Sequence, residues 1–341
     1  MIDFQRLHAP VWNSLQARRA RLPHALLLTG QRGLGKLDLA RAFVAGLLCE
    51  RPRTDGLACG ACLACGWQAQ GNHPDFRLLQ PDAAGEAEAE AEEGKKKASQ
   101  QITIDQVRAL DEFLNVGTHR AGLRIVLVAP AEAMNRATAN ALLKSLEEPP
   151  PSTLFLLVSN EPMRLLPTIR SRCQVLAVPL PETEAALSAL RGEGISDPEQ
   201  WLALAGGAPM LAAQLAQAGQ GAWLEELVRQ LSSGAKLDAL TAASAVDKLL
   251  RDSKGRLNLR QVVEWSQKWA VDLALARNDL PVRYFVRQNA TIGRIVKDIP
   301  ETRLLRFHRR LLECRREVEQ PLNARLFLEE FFFNYRALFV H

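Results

Sequence analysis

Leu26-Leu27-Leu28-Thr29-Gly30-Gln31-Arg32-Gly33-Leu34-Gly35-Lys36-Leu37 reads as a strand, a glycine-rich turn and the first residues of a helix. It fits the phosphate-binding pattern G-x-x-x-x-G-K-[ST] at every position but the last. The residue types follow from the chemistry. Glycines let backbone N–H groups wrap a phosphate, and the helix N-terminus adds partial positive charge. Lys36 has the length to reach β- and γ-phosphates. Gly30, Gly33, Gly35 and Lys36 are therefore the candidate nucleotide-binding residues. The next position should supply a hydroxyl to Mg²⁺, and leucine has none. The loop marks descent from a nucleotide-binding fold. Two readings of its present use stand side by side: a working site, and a loop kept for packing helix against strand.

Outward from this loop, short apolar runs alternate with helical patterns. The runs are Ala25–Thr29, Phe76–Leu79, Arg124–Val128, Thr153–Val158 and Val175–Val178, and the helical segments cover about 35–50, 104–117 and 135–148. Near-continuous apolar strands between helices predict an α/β domain with a parallel five-stranded sheet, covered on both faces. An active ATPase of this kind ends its third strand with acidic residues that hold Mg²⁺ and polarise water. Here Arg124–Val128 runs into Ala129 and Pro130, and the first carboxylate, Glu132, comes two residues late.

Residues 82–100 hold five glutamates and then three lysines with no large apolar side chain, and read as a mobile insertion. After Val178 the strands stop. A small helical unit at 179–212 and a helical domain at 213–341 follow, the first domain being 1–178. Apolar spacing such as Leu224-Leu227-Leu231, Trp265-Trp269 and Leu326-Phe327-Phe331-Phe333 assigns these side chains to helix core faces.

Four of the six cysteines crowd together as Cys49-x9-Cys59-x2-Cys62-x2-Cys65. No apolar run approaches the ~20 residues of a membrane span, and the first residues lack the pattern of a signal peptide. The expectation is a cytoplasmic protein with no membrane partner, where disulfides are disfavoured. The quartet, the 49–65 module, then reads as a closed structural zinc site; four free thiols or a redox pair is the other reading. Cys173 and Cys314 read as buried thiols. A formal net charge of +5 permits contact with nucleic acid, but the basic residues are scattered as on an ordinary solvated surface.

Four stretches coincide with one family: Pro23-His24-Ala25-Leu26-Leu27-Leu28-Thr29-Gly30, the four-cysteine module, Asn140-Ala141-Leu142-Leu143-Lys144-Ser145-Leu146-Glu147-Glu148-Pro149-Pro150, and Thr168-Ile169-Arg170-Ser171-Arg172-Cys173. The chain resembles the bacterial clamp-loader subunits of the AAA+ class, over most of 1–178 and less specifically beyond. The resemblance implies a P-loop AAA+ domain, a small helical lid and an all-α collar that holds subunits together. A motor subunit of that family would carry Ser or Thr at 37, Asp-Glu at 129–130 and a lid arginine near Pro209. This chain departs at all three positions, which implies a degenerate nucleotide site without intrinsic ATPase activity. The resemblance assigns Arg172 as a catalytic arginine acting in trans on a neighbour's ATP; from the residues alone, an arginine that caps the turn before Val175 is an equal reading. The implied partners are gamma/tau motor subunits and the delta subunit of DNA polymerase III, with the sliding clamp and primer–template DNA met through the complex. The competing functional readings are a self-sufficient ATPase with atypical magnesium ligation and a zinc-dependent DNA-binding module. Glu147 to Pro150 reads as helix termination by proline.

Overall fold

A computed structural model describes residues 4–82, 99–115, 122–253 and 255–339. All but the ends of the acidic-then-basic stretch at 82–100 lie outside the described residues. The chain divides into two compact units, Asp3–Glu182 and Thr183–His341.

The first unit is built on five strands, β1 (Ala25–Thr29), β2 (Phe76–Leu79), β3 (Arg124–Val128), β4 (Thr153–Ser159) and β5 (Gln174–Ala177). They form one sheet in the order β2-β3-β4-β1-β5, and every pairing is parallel. The phosphate-loop strand β1 lies between β4 and β5. All residues of β1, β3 and β4 are buried, as their unbroken apolar runs predict. β5 differs. It is the sheet edge and shows three of its four residues to solvent, so its apolar pattern does not report burial on two faces. Its pairing starts at Gln174 and ends at Ala177, one residue earlier than the sequence suggests.

Among the described residues seven helices accompany the sheet: α1 (Phe4–Leu7), α2 (Ala9–Ala17), α3 (Lys36–Leu48), α4 (Leu63–Ala69), α5 (Ile104–Asn115), α6 (Arg136–Glu147) and α7 (Pro167–Arg172). The core on one face joins Leu27, Val126, Phe155 and Leu157 of the strands to Leu110, Leu142, Leu146 and Ile169 of α5, α6 and α7. Each such side chain contributes on the order of 1.5–3 kcal/mol on burial. Asn135 starts α6 by accepting the Thr138 N–H at 2.9 Å, a side-chain cap.

The second unit is helical throughout its described residues. It opens with α8 (Thr183–Gly192), α9 (Pro198–Leu204) and α10 (Pro209–Gln217), which pack on one another. Then follow α11 (Gly221–Ser232), α12 (Ala239–Asp252), α13 (Leu259–Arg277), α14 (Asn289–Ile295), α15 (Glu301–Glu317) and α16 (Ala324–Arg336). α12 lies against α16, and α13 against α15. Trp269 is fully buried and donates its indole N–H to the Tyr335 hydroxyl at 3.0 Å, which donates in turn to the Leu231 carbonyl at 2.7 Å. Asp272, also fully buried, accepts the backbone N–H groups of Arg283, Tyr284 and Phe285. Leu326 and Phe333 depart from the core assignment: they are 63% and 49% exposed, because Phe327, Leu328, Phe331, Phe332 and Tyr335 take the inward face of α16.

Where β1 ends, the sheet closes tightly on the loop. The Val178 N–H donates to the Thr29 carbonyl at 2.7 Å. A Cβ at Gly30 would sit 2.5 Å from the Val178 carbonyl oxygen, at a φ of +157°. Gly30→Ala is therefore expected to lower unfolding free energy by about 1–3 kcal/mol, measured by denaturant titration, with the apo chain sufficient for the test.

Candidate functional site

Three constellations stand in the first unit. The phosphate loop joins β1 to α3, with Gly33 and Gly35 in left-handed backbone (φ +83° and +79°) that suits glycine. Lys36, the first residue of α3, is 3% exposed. Its ammonium donates to the Gly30 carbonyl at 2.8 Å, the Gln31 carbonyl at 2.7 Å and Asn160 Oδ1 at 2.8 Å. An ammonium has three donors, so two loop carbonyls and the Asn160 side chain saturate it. Burial lowers its pKa to about 8, against the pull of the Glu132 carboxylate in the opposite direction. His8 bonds the same loop from outside, Nε2 to the Leu34 carbonyl at 2.7 Å.

Asn160 was not singled out in the sequence, yet it follows the last residue of β4, beside β1, on the edge where parallel sheets place their sites. That position was the available signal. Glu132 is carried back to it by the short turn Ala131–Ala133. Its Oε1 accepts both the backbone and the side-chain N–H of Asn160 at 3.0 Å. The carboxylate that sequence spacing placed too late thus enters the network indirectly, through Asn160. Leu37, Ala129 and Pro130 offer no side-chain oxygen to a metal ion. The geometry can hold a charged lysine in a closed loop; it lacks the ligands that would set Mg²⁺ for hydrolysis.

Arg172 lies at the opposite edge of the sheet. It ends α7, and Cys173, buried as anticipated, leads into β5 at Gln174. Gln174 is level with Leu26 of β1. Gly30 is four residues further along, about 13 Å at ~3.3 Å per residue. Arg172 therefore stands at the foot of the strands and the phosphate loop at their head. Its guanidinium is 34% exposed, with Nη2 2.5 Å from Glu147 Oε1 and Nη1 donating to the Thr168 carbonyl at 3.0 Å. The capping reading is partly met by the Thr168 contact, but the acceptor lies within α7 and not in the turn before Val175.

The third constellation is the cysteine quartet. Cys49 follows α3, Cys59 sits in the loop before α4, Cys62 caps α4 and Cys65 lies in its first turn. The Sγ atoms all lie within 4.8 Å of one another. Separations of 3.8 Å (Cys49–Cys62), 3.9 Å (Cys59–Cys65), 3.4 Å (Cys62–Cys65) and 3.7 Å (Cys49–Cys65) approach a regular tetrahedron. With metal–sulfur bonds of ~2.3 Å such a tetrahedron has edges of about 3.8 Å. The Cys59 N–H donates to Cys49 Sγ at 3.2 Å and the Ala61 N–H to Cys59 Sγ at 3.5 Å, orienting ligands from behind. The loop is tied to α2 and its neighbourhood: the Trp12 indole N–H donates to the Asp55 carbonyl at 2.9 Å, and Arg19 donates to the Gly56 and Gly46 carbonyls.

Residues 8–182 match the family described as DNA polymerase III, delta subunit. The DNA polymerase III subunit delta' of Pseudomonas aeruginosa is 40% identical over 279 residues, covering 80% of this chain and 78% of that protein. The subunit delta' of Escherichia coli K12 is 36% identical over 218 residues, 63% of this chain and 59% of that protein. The Escherichia coli subunit tau is 34% identical over 153 residues, 45% of this chain and 21% of its own length. With a match spanning the sheet unit and a relative aligned over four fifths of its length, the chain belongs to the delta' subunits of the DNA polymerase III clamp loader.

Proposed function

We propose that the chain is a non-catalytic clamp-loader subunit that supplies Arg172 to the ATP of a neighbouring motor subunit. In that role it supports placement of a sliding clamp on primer–template DNA. The observation that carries this reading is the separation of Arg172 from the chain's own phosphate loop by the height of the sheet. An arginine at the foot of the strands does not reach a phosphate at their head, which supports a phosphate brought by another subunit. A guanidinium delivered in this way stabilises charge developing on the γ-phosphate. The chain's own loop is closed on Lys36 and lacks magnesium ligands, which argues against the self-sufficient ATPase. Subunit delta' relatives and a tau relative support partners of the gamma/tau and delta type.

In this reading α8, α9 and α10 are the lid, with Pro209 where a motor would carry its sensing arginine, and the helices from α11 onward are the collar. Solvent-exposed Leu305 and Leu312 on α15 and Leu326 and Phe333 on α16 suit a surface covered on assembly. Among the described residues no helix is long and apolar enough to cross a membrane. The quartet Cys49, Cys59, Cys62 and Cys65 would hold zinc as four thiolates with no open position. The metal supplies folding free energy there and no catalysis.

Three measurements test this. In the reconstituted loader, Arg172→Ala is expected to slow hydrolysis at the one motor site it faces by about 10³-fold, seen as a missing share of the pre-steady-state burst; an unchanged burst refutes the role. Metal analysis of chain purified without chelators should find about one zinc per chain, and Cys62→Ser should abolish binding and destabilise the first unit by several kcal/mol. Lys36 titrates near 8 when folded and at its ordinary 10.5 when unfolded. The unfolded chain then binds more protons between these values, and stability from this group rises with pH across that window. Denaturant unfolding of the native chain should gain stability relative to Lys36→Met between pH 8 and 10.

A further inference from the structure

Glu147 closes α6 within a motif whose sequence reading is helix termination, and the structure gives its carboxylate a different occupation. It lies in the last turn of the helix, where a negative charge opposes the helix dipole by about 0.3–1 kcal/mol. It is 48% exposed, and its ion pair with Arg172, itself 34% exposed, returns little stability in water. Helix stability therefore does not explain a glutamate here. Glu148, its neighbour, is exposed and has no side-chain partner among the described residues, although the same stability argument applies to it.

We propose that Glu147 is a positioning residue for Arg172, holding the guanidinium in one orientation for a phosphate brought by another subunit. The inference rests on the trans role of Arg172 proposed above. Two elements fix the arginine from two sides: Glu147 Oε1 at the end of α6 takes Nη2 at 2.5 Å, and the Thr168 carbonyl in α7 takes Nη1 at 3.0 Å. A guanidinium carries five N–H donors in a rigid fork, so two contacts leave three donors for phosphate oxygens. The pair need not break when the neighbour arrives. An arginine otherwise explores many rotamers, and a clamp on one side of the fork removes that search without consuming the charge. Asn135 capping at one end of α6 and Pro149-Pro150 beyond the other fix where the carboxylate stands.

The test uses the reconstituted loader carrying Glu147→Ala, Glu147→Gln, Glu148→Ala, Arg172→Ala and the Glu147→Ala/Arg172→Ala pair, with thermal unfolding of each free chain alongside. Expected is a fall in kcat of about three- to tenfold at the site facing Arg172 for Glu147→Ala, with KM and melting temperature unchanged. Glu147→Gln, which still accepts from Nη2, should recover most of the loss, and Glu148→Ala should behave as the native chain. The double variant should be no slower than Arg172→Ala alone, since both changes act through one group. If Glu147→Ala turns over at the native rate, or faster, while Arg172→Ala is slow, the positioning role is overturned and the trans role stands. If Arg172→Ala is itself native-like, both fall together.

Discussion

The parallel pairing of β1 with β4 on one side and β5 on the other governs everything chemical in the first unit. Parallel strands all point one way, so their heads share one edge and their feet the other. Gly30, Lys36 and Asn160 follow strand heads, whereas Arg172 precedes a strand foot. The register Leu26 to Gln174 sets the distance between them, and no side-chain motion shortens it. A subunit built this way has two chemically distinct edges, one shaped as a receiver of nucleotide and one as a donor of positive charge. In the proposed reading, such units stacked head to foot would complete each other's sites. The receiving edge of this chain has Leu37, Ala129 and Pro130 where magnesium ligands would stand.

The closed loop has its own physical logic. A buried ammonium is costly unless every donor is met. In this loop Lys36 finds its acceptors in Gly30, Gln31 and Asn160, with the Glu132 carboxylate bonded to Asn160. Losing the lysine would strand two loop carbonyls and the half-buried Asn160 amide oxygen. Retention of the Gly–Lys pattern therefore has a structural cause that is independent of nucleotide. The magnesium hydroxyl has no such second use, and leucine stands in its place.

How far the sequence could be read follows from which interactions are local. The strands and the phosphate turn announce themselves in consecutive residues, and the quartet announces itself because thiolate chemistry is specific enough to survive without knowledge of the fold. β5 misled: an apolar run predicts burial only if both sides of the sheet are covered, and an edge strand is not. Leu326 and Phe333 misled likewise, since two adjacent faces of α16 are apolar and periodicity does not say which one packs inward. Glu132, Asn160 and Glu147 matter through contacts separated by 28 residues for the first two and by 25 positions for Glu147 and Arg172. Only the topology brings such pairs together. Glu147 was legible as the end of a helix and illegible as a partner of Arg172.

The buried chain of Trp269, Tyr335 and the Leu231 carbonyl carries a consequence for the order in which the molecule is made. Its members come from α13, α16 and α11, up to 104 positions apart in sequence. Every strand of the first unit precedes Val178, so that sheet can close while later residues are still being added by the ribosome. The helical unit cannot do the same. Until Tyr335 has left the exit tunnel, the indole of Trp269 lacks its acceptor and α12 has α11 but not α16 to lie against. During synthesis the face of α12 that packs on α16 therefore stays uncovered until that later helix has been made.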